Sequence, residues 1–153
     1  MSNFEAKNDR PSDYDFKSNI QKYRLNVANS MVGATNEQIK ACYNGCGAEW
    51  MPSFSRDILD NFMDLYKDCV AGHDWDFDHS DGGEYNFKVA NNRFKNNMKK
   101  VRDYHFPWSN PSKYFQCFKW YLKARAAYRA VEKFGFKAWQ EAYDKKAFNG
   151  ILD

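Results

Sequence analysis

The chain has 153 residues, 43% hydrophobic and 18% aromatic, a length and composition that suit one packed core and exclude an unstructured polar chain. No long uncharged apolar run is present, so no spanning helix is expected, and the polar opening MSNFEAKNDRPSDYDF is unlike a secretory leader. Net charge is only +3, but residues 1–85 carry eight Lys and Arg against fifteen Asp and Glu, while residues 86–153 carry fifteen against five. A cationic C-terminal part points to an anionic partner: phospholipid, nucleic acid or an acidic protein.

Residues 1–18 are expected to form a flexible arm, because Asn, Asp, Ser and Pro dominate and no period emerges. The remaining residues, 19–153, are read as a single mainly α domain. NIQKYRLNVANSMV holds at most a helical turn or two. Thr35 stands three residues before Gln38, a capping-box spacing, and Asn44-Gly45 is a stop signal, so a short helix is expected over about 36–43.

From Phe54 to Phe77 apolar residues recur at steps of three and four, through Ile58, Phe62, Leu65, Cys69 and Val70, with Asp57, Asp60, Asp64 and Asp68 off that stripe. An amphipathic helix with His73 on its inner side follows. The Gly82-Gly83 break ends it, and Phe87, Asn91, Phe94, Met98 and Val101 give the next helix one inward face, with Asn92 turned toward Lys88 and Lys95. Two antiparallel helices facing one another are the expected result. Asn110 caps and Pro111 opens a helix to about residue 134, Gly135 closes it, and FKAWQEAYDKKAF starts another.

Between Gly72 and Gly83 the sequence GHDWDFDHSDGG concentrates four aspartates and two histidines. A calcium hand fails in both registers: counted from Asp74 the turn glycine is replaced by His79, and counted from Asp76 by Asp81, with Phe87 at the terminal ligand position. A zinc site built on His73, His79 and nearby carboxylates or cysteines needs three or four convergent ligands, and the spacing puts the two histidines on different helix faces. A third reading makes His73 and Asp74 two tools pointing about 100° apart on one helix. A general base beside a metal ligand suits that arrangement, and the glycines of CYNGCGAEW allow backbone carbonyls to turn toward a cation.

The elements Asn44-Gly45-Cys46-Gly47, then Cys69-Val70-Ala71-Gly72-His73-Asp74-Trp75-Asp76-Phe77, then a second helix, together resemble the phospholipase A2 superfamily over residues 42 to 98. The likeness is greatest to short virus-borne or bacterial versions, and RAAYRAVEKFGFKAW is similar to bacteriophage proteins with the same core. The resemblance implies calcium-dependent hydrolysis of phospholipid esters, with His73 as base and Asn91 as the residue that orients it. Asp74, Asn44, Gly45 and Gly47 would hold Ca²⁺. It also implies contact between Cys69 and the loop, with Cys46 and Cys69 as neighbours. Phe77 stands where the family has tyrosine, Asn91 where it has aspartate, and Ala48 follows Gly47.

The alternative is a bacteriophage virion structural or assembly protein that keeps the scaffold with little or no chemistry. Either way a location in the host cytoplasm or the virion is expected, with a phospholipid or membrane surface, or other virion proteins, as partner and nucleic acid as a lesser candidate. Asp76, Asp78 and Asp81 are expected in a solvated turn, and His79 and His105 without partners. Of the 28 aromatics, fourteen lie between Tyr104 and Phe148 among lysines and arginines, which suits a membrane interface or single-stranded nucleic acid. The helical period of Tyr114, Phe118, Tyr121, Arg125 and Tyr128 favours core packing for that stripe over either.

Overall fold

A computed structural model describes residues 14–43 and 63–152 of the chain. The described part is mainly helical, with no strand among the described residues: α1 (Phe16–Lys22), α2 (Asn29–Val32), α3 (Asn36–Cys42), α4 (Met63–Asp78), α5 (Glu84–His105), a 3-10 turn (Pro111–Lys113), α6 (Tyr114–Phe134) and α7 (Phe136–Leu152). No helix among the described residues is long and apolar enough to cross a membrane.

The short N-terminal helices form where their caps require. Asp15 accepts from the backbone N–H of Ser18 at the start of α1, and Thr35 and Gln38 make the reciprocal capping box that opens α3. The domain begins before residue 19, which corrects the expected arm at its inner end. Phe16 is 1% exposed, and Tyr14 donates its hydroxyl to the Asp68 carboxylate at 2.9 Å. Asn19 and Tyr14 are the partners that let Asp68 be buried. Residues 1–13 lie outside the described part.

Helix α4 is the hub. It packs against α1, α3, α5 and α7, and from Tyr66 to Asp76 almost every residue is buried. Of the aspartates expected off the apolar stripe, Asp57 and Asp60 and the side chain of Asp64 lie outside the described part, and Asp68 is buried. Both inward aspartates find partners, Asp68 as above and Asp76 in an ion pair with Arg93 at 2.7 Å. The helix kinks at Tyr66 (φ −104°, ψ 19°), whose hydroxyl donates to the Trp120 carbonyl and whose ring meets Trp120 edge-on.

Two glycines in positive φ turn the chain from α4 into α5: Gly82 at 70° and Gly83 at 76°. The turn is tied to α7, because Ser80 donates to the Trp139 carbonyl, accepts from the Gly82 N–H, and Gly83 N–H reaches Gln140. Contacts along α4 and α5 then run in reverse order: Phe77 meets Phe87 near the turn, and His73 meets Asn91 and Phe94 further from it. The inward face expected of α5 is realised, with Phe87, Asn91, Phe94, Met98 and Val101 all buried and Asn92 exposed. Farther along, buried Asn97 accepts from the Asn26 N–H and donates to its carbonyl, pinning the link between α1 and α2.

Helix α6 differs from expectation. Its buried face is Cys117, Ala124, Ala127 and Val131, small enough to bring it close against α5, with Trp120 and Tyr128 half-buried at its margins and the exposed rings outside. Tyr114, Phe118 and Tyr121 are 42, 54 and 41% exposed, and Arg125 is exposed, so of the expected stripe only the half-buried Tyr128 packs against the core. Tyr121 covers the buried Arg102 guanidinium instead, with the cation 5.2 Å from its ring centroid.

The glycine turn yields a test. A Cβ at Gly82 would lie 2.6 Å from the Tyr143 ring, whereas one at Gly83 meets nothing within 4 Å. In urea unfolding, Gly83→Ala should cost only backbone strain, about 1–3 kcal/mol. Gly82→Ala should cost more, and the excess should vanish when Tyr143 is also made alanine.

Candidate functional site

His73 lies on α4 with Cys69 one turn before it and Phe77 one turn after, and the inward stripe of α5 supplies the opposite wall. Its Nε2 stands 3.0 Å from Oδ1 of Asn91. Phe94, three residues beyond Asn91 on the same face of α5, stacks on the imidazole at 4.5 Å, and Phe77 tilts against it at 4.6 Å. The histidine keeps 8% of its surface exposed and Asn91 keeps 2%.

These neighbours set the chemistry of the ring. An amide oxygen can only accept, so Nε2 carries the proton and Nδ1 the lone pair. Burial among aromatic rings disfavours the imidazolium and lowers the pKa from 6.5 to about 4, with the Asn91 hydrogen bond opposing the shift only in part. Nδ2 of Asn91 is buried and has no hydrogen-bond partner, so the asparagine is held by the histidine alone through its oxygen.

Asp74 is half-buried on a different side of α4 from His73. The other candidate calcium ligands, Asn44, Gly45 and Gly47, lie outside the described residues, as does Cys46. Cys42 Sγ lies 3.4 Å from Oδ2 of Asp78, one helical turn beyond Asp74, and Tyr43 is buried against Phe16. Cys69 and Cys117 are buried free thiols, and burial pushes the Cys69 thiol well above its usual pKa.

Phe77, where the resembled family carries tyrosine, spends its ring on packing: besides His73 it meets Phe87 and Trp139.

Other polar residues of this region are not where the sequence suggested. Asp76 is buried rather than solvated; burial raises its carboxyl to about 6, with Arg93 pulling the other way. Asp78 and Asp81 are exposed as expected. His79 does have partners: it stacks on Trp75 at 4.2 Å and 15°, and its Nδ1 is 3.0 Å from the Trp75 carbonyl. His105 pairs with the Tyr23 hydroxyl at 2.8 Å. His73 and His79 do not share a site, since one ring is enclosed between α4 and α5 and the other is exposed.

The ion pair of Asp76 and Arg93 opens onto a cleft of about 380 Å³ whose wall also includes His79, Asp81, Asn86 and Trp139. Nothing in the spacing of Asp76 and Arg93, on separate helices, marked them as partners.

No family model, curated protein or solved structure matches the chain.

Two measurements follow from this geometry. Between pH 6.5 and 4 the unfolded chain holds a proton on residue 73 that the folded one does not, so acidification across this window weakens the fold. Relative to His73→Gln, the wild type should lose about 3 kcal/mol between pH 7 and pH 4 in chemical unfolding. Asn91→Asp places a carboxylate beside Nε2 and should raise the His73 pKa by more than a unit, read by NMR titration of the imidazole.

Proposed function

We propose that this chain is a phospholipase A2-like ester hydrolase acting on phospholipid, with His73 as general base and Asn91 as its orienting residue. The observation that supports the reading most is the 3.0 Å contact of His73 Nε2 on α4 with Asn91 Oδ1 on α5. It fixes the tautomer in which Nδ1 can take a proton from water as that water attacks the ester carbonyl. The proton then passes to the departing alcohol, and no covalent intermediate forms. The low pKa keeps the ring neutral and ready at physiological pH, but makes it a weak base. Asn91 supplies no negative charge to the imidazolium, so turnover is slow by comparison with a site carrying an acid there.

Asp74 with Asn44, Gly45 and Gly47 would hold Ca²⁺, as a set of hard oxygen donors from one carboxylate and a turning loop. One feature of the described residues favours this assignment: the half-exposed Asp74 adjoins the histidine on α4. When bound, the cation supplies positive charge for the ester carbonyl oxygen and the oxyanion it becomes. Trp108, Tyr114, Phe115 and Phe118 are exposed beside the basic residues of α6, which suits a phospholipid surface better than nucleic acid.

A second reading is a bacteriophage virion structural or assembly protein on the same scaffold, in the virion or the host cytoplasm. It is favoured by the enclosure of the His73 ring between Phe77 and Phe94.

Hydrolysis of phospholipid vesicles with and without calcium separates the two. The first reading expects fatty acid release that needs calcium and is lost in His73→Gln. Calcium at a hundred times its dissociation constant should also add roughly 2.7 kcal/mol of stability, an increment absent in Asp74→Ala. A wild-type chain that releases no fatty acid and is indifferent to calcium overturns the hydrolase and leaves the scaffold.

A further inference from the structure

We infer that Cys42, Asp78 and His79 form a zinc site joining the end of α3 to the end of α4, separate from the His73 pocket. Cys42 Sγ, a carboxylate oxygen of Asp78 and a ring nitrogen of His79 all lie within 4.8 Å of one another. Thiolate, imidazole and carboxylate are the three ligand types zinc takes, and the two softer ones argue against calcium or magnesium. Ligand atoms about 2.0–2.3 Å from a tetrahedral metal stand about 3.5 Å apart. Cys42 Sγ and Asp78 Oδ2 are already 3.4 Å apart.

The exposed histidine ring lies at the cluster through Nδ1, which stands 3.7 Å from Oδ2 of Asp78 and 3.0 Å from the Trp75 carbonyl. Donating Nδ1–H to that carbonyl leaves the lone pair on Nε2, and a turn of the exposed side chain brings Nε2 to the metal. Stacking on Trp75 at 15° holds the plane of the ring, and Trp75 is itself anchored by donating Nε1 to Ser30 Oγ. A metal-binding histidine characteristically spends its second nitrogen on such an outer partner. Asp78 and His79 are exposed and Cys42 is half-exposed, so an ion reaches them without any opening of the core, and the exposed Asp78 carboxylate can rotate to close the remaining distance. Three protein ligands leave the fourth position to water. Binding converts the Cys42 thiol to thiolate and releases its proton, so affinity rises with pH.

The consequence is a clamp. The metal would fix the point at which the chain leaves α3 against the end of α4, across residues 44–62. The site owes nothing to catalysis by His73 and would exist equally in a non-catalytic scaffold.

Cobalt(II) titration of the full chain under reducing, calcium-free conditions tests it. Expected are the visible bands of tetrahedral cobalt with a thiolate charge-transfer band, displaced by stoichiometric zinc. Cys42→Ser and His79→Gln should each weaken binding by more than the roughly tenfold that follows loss of an outer partner. Asp78→Asn, a near-isosteric change at an exposed position, provides the same readout should either variant fold poorly. Asp74→Ala, which removes the calcium ligand, should leave the cobalt spectrum unchanged, so the two metal assignments fail independently. Absence of tetrahedral bands, or bands that survive Cys42→Ser with the intensity of wild type, overturns the site.

Discussion

Burying most of a helix obliges each polar group on its covered sides to find a partner inside the protein, and α4 carries this obligation at four positions. Asp68 is satisfied by Tyr14 and Asn19, Asp76 by Arg93, Trp75 by Ser30 and His73 by Asn91. The partners come from the N-terminal segment and from α5, so the same bonds that make burial tolerable also place α1, α2 and α5 around one axis. The histidine pocket is one member of this set. Its orientation is inherited from the packing of α4, and α5 contributes the amide and a stacking ring from a single face.

Charge inside this core is handled unevenly. Asp76 retains an arginine at 2.7 Å, whereas His73 is offered only a neutral amide and two phenyl rings. The imidazole therefore resists protonation, and Asn91 ends with one buried donor unmet. An orphaned amide nitrogen in the interior costs free energy, though less than a carboxylate buried at that position without a cationic partner would.

Helices with one strong signal were legible in the sequence. The capping box gave α3, the period of Phe87 to Val101 gave the inner face of α5, and Asn110-Pro111 with Gly135 bounded α6 closely. The pairing of His73 with Asn91 also followed, because both lie on inward stripes flanking a glycine turn. Burial of Asp68 and Asp76 did not, since periodicity assigns acids to water and cannot see a tyrosine fifty-four residues away or an arginine on the next helix. The face of α6 was misread for a related reason: period alone does not say which of two stripes faces inward, and here the small one does, because close approach to α5 rewards Ala124 and Ala127 over rings. Tyr14 and Phe16 give no such signal, because one half-buried and one buried ring in a polar stretch carry no period.

The tie between the glycine turn and α7 bears on tolerance to change at a distance. Ser80, Gly82 and Gly83 touch Trp139, Gln140 and Tyr143, and Trp139 also presses on Phe77, the ring beside His73. Helix α7 carries none of the candidate site residues, yet it braces the hinge from which both walls of the pocket diverge. Losing the chain's tail by proteolysis or a premature stop would thus slacken the imidazole's setting while leaving its immediate neighbours chemically intact.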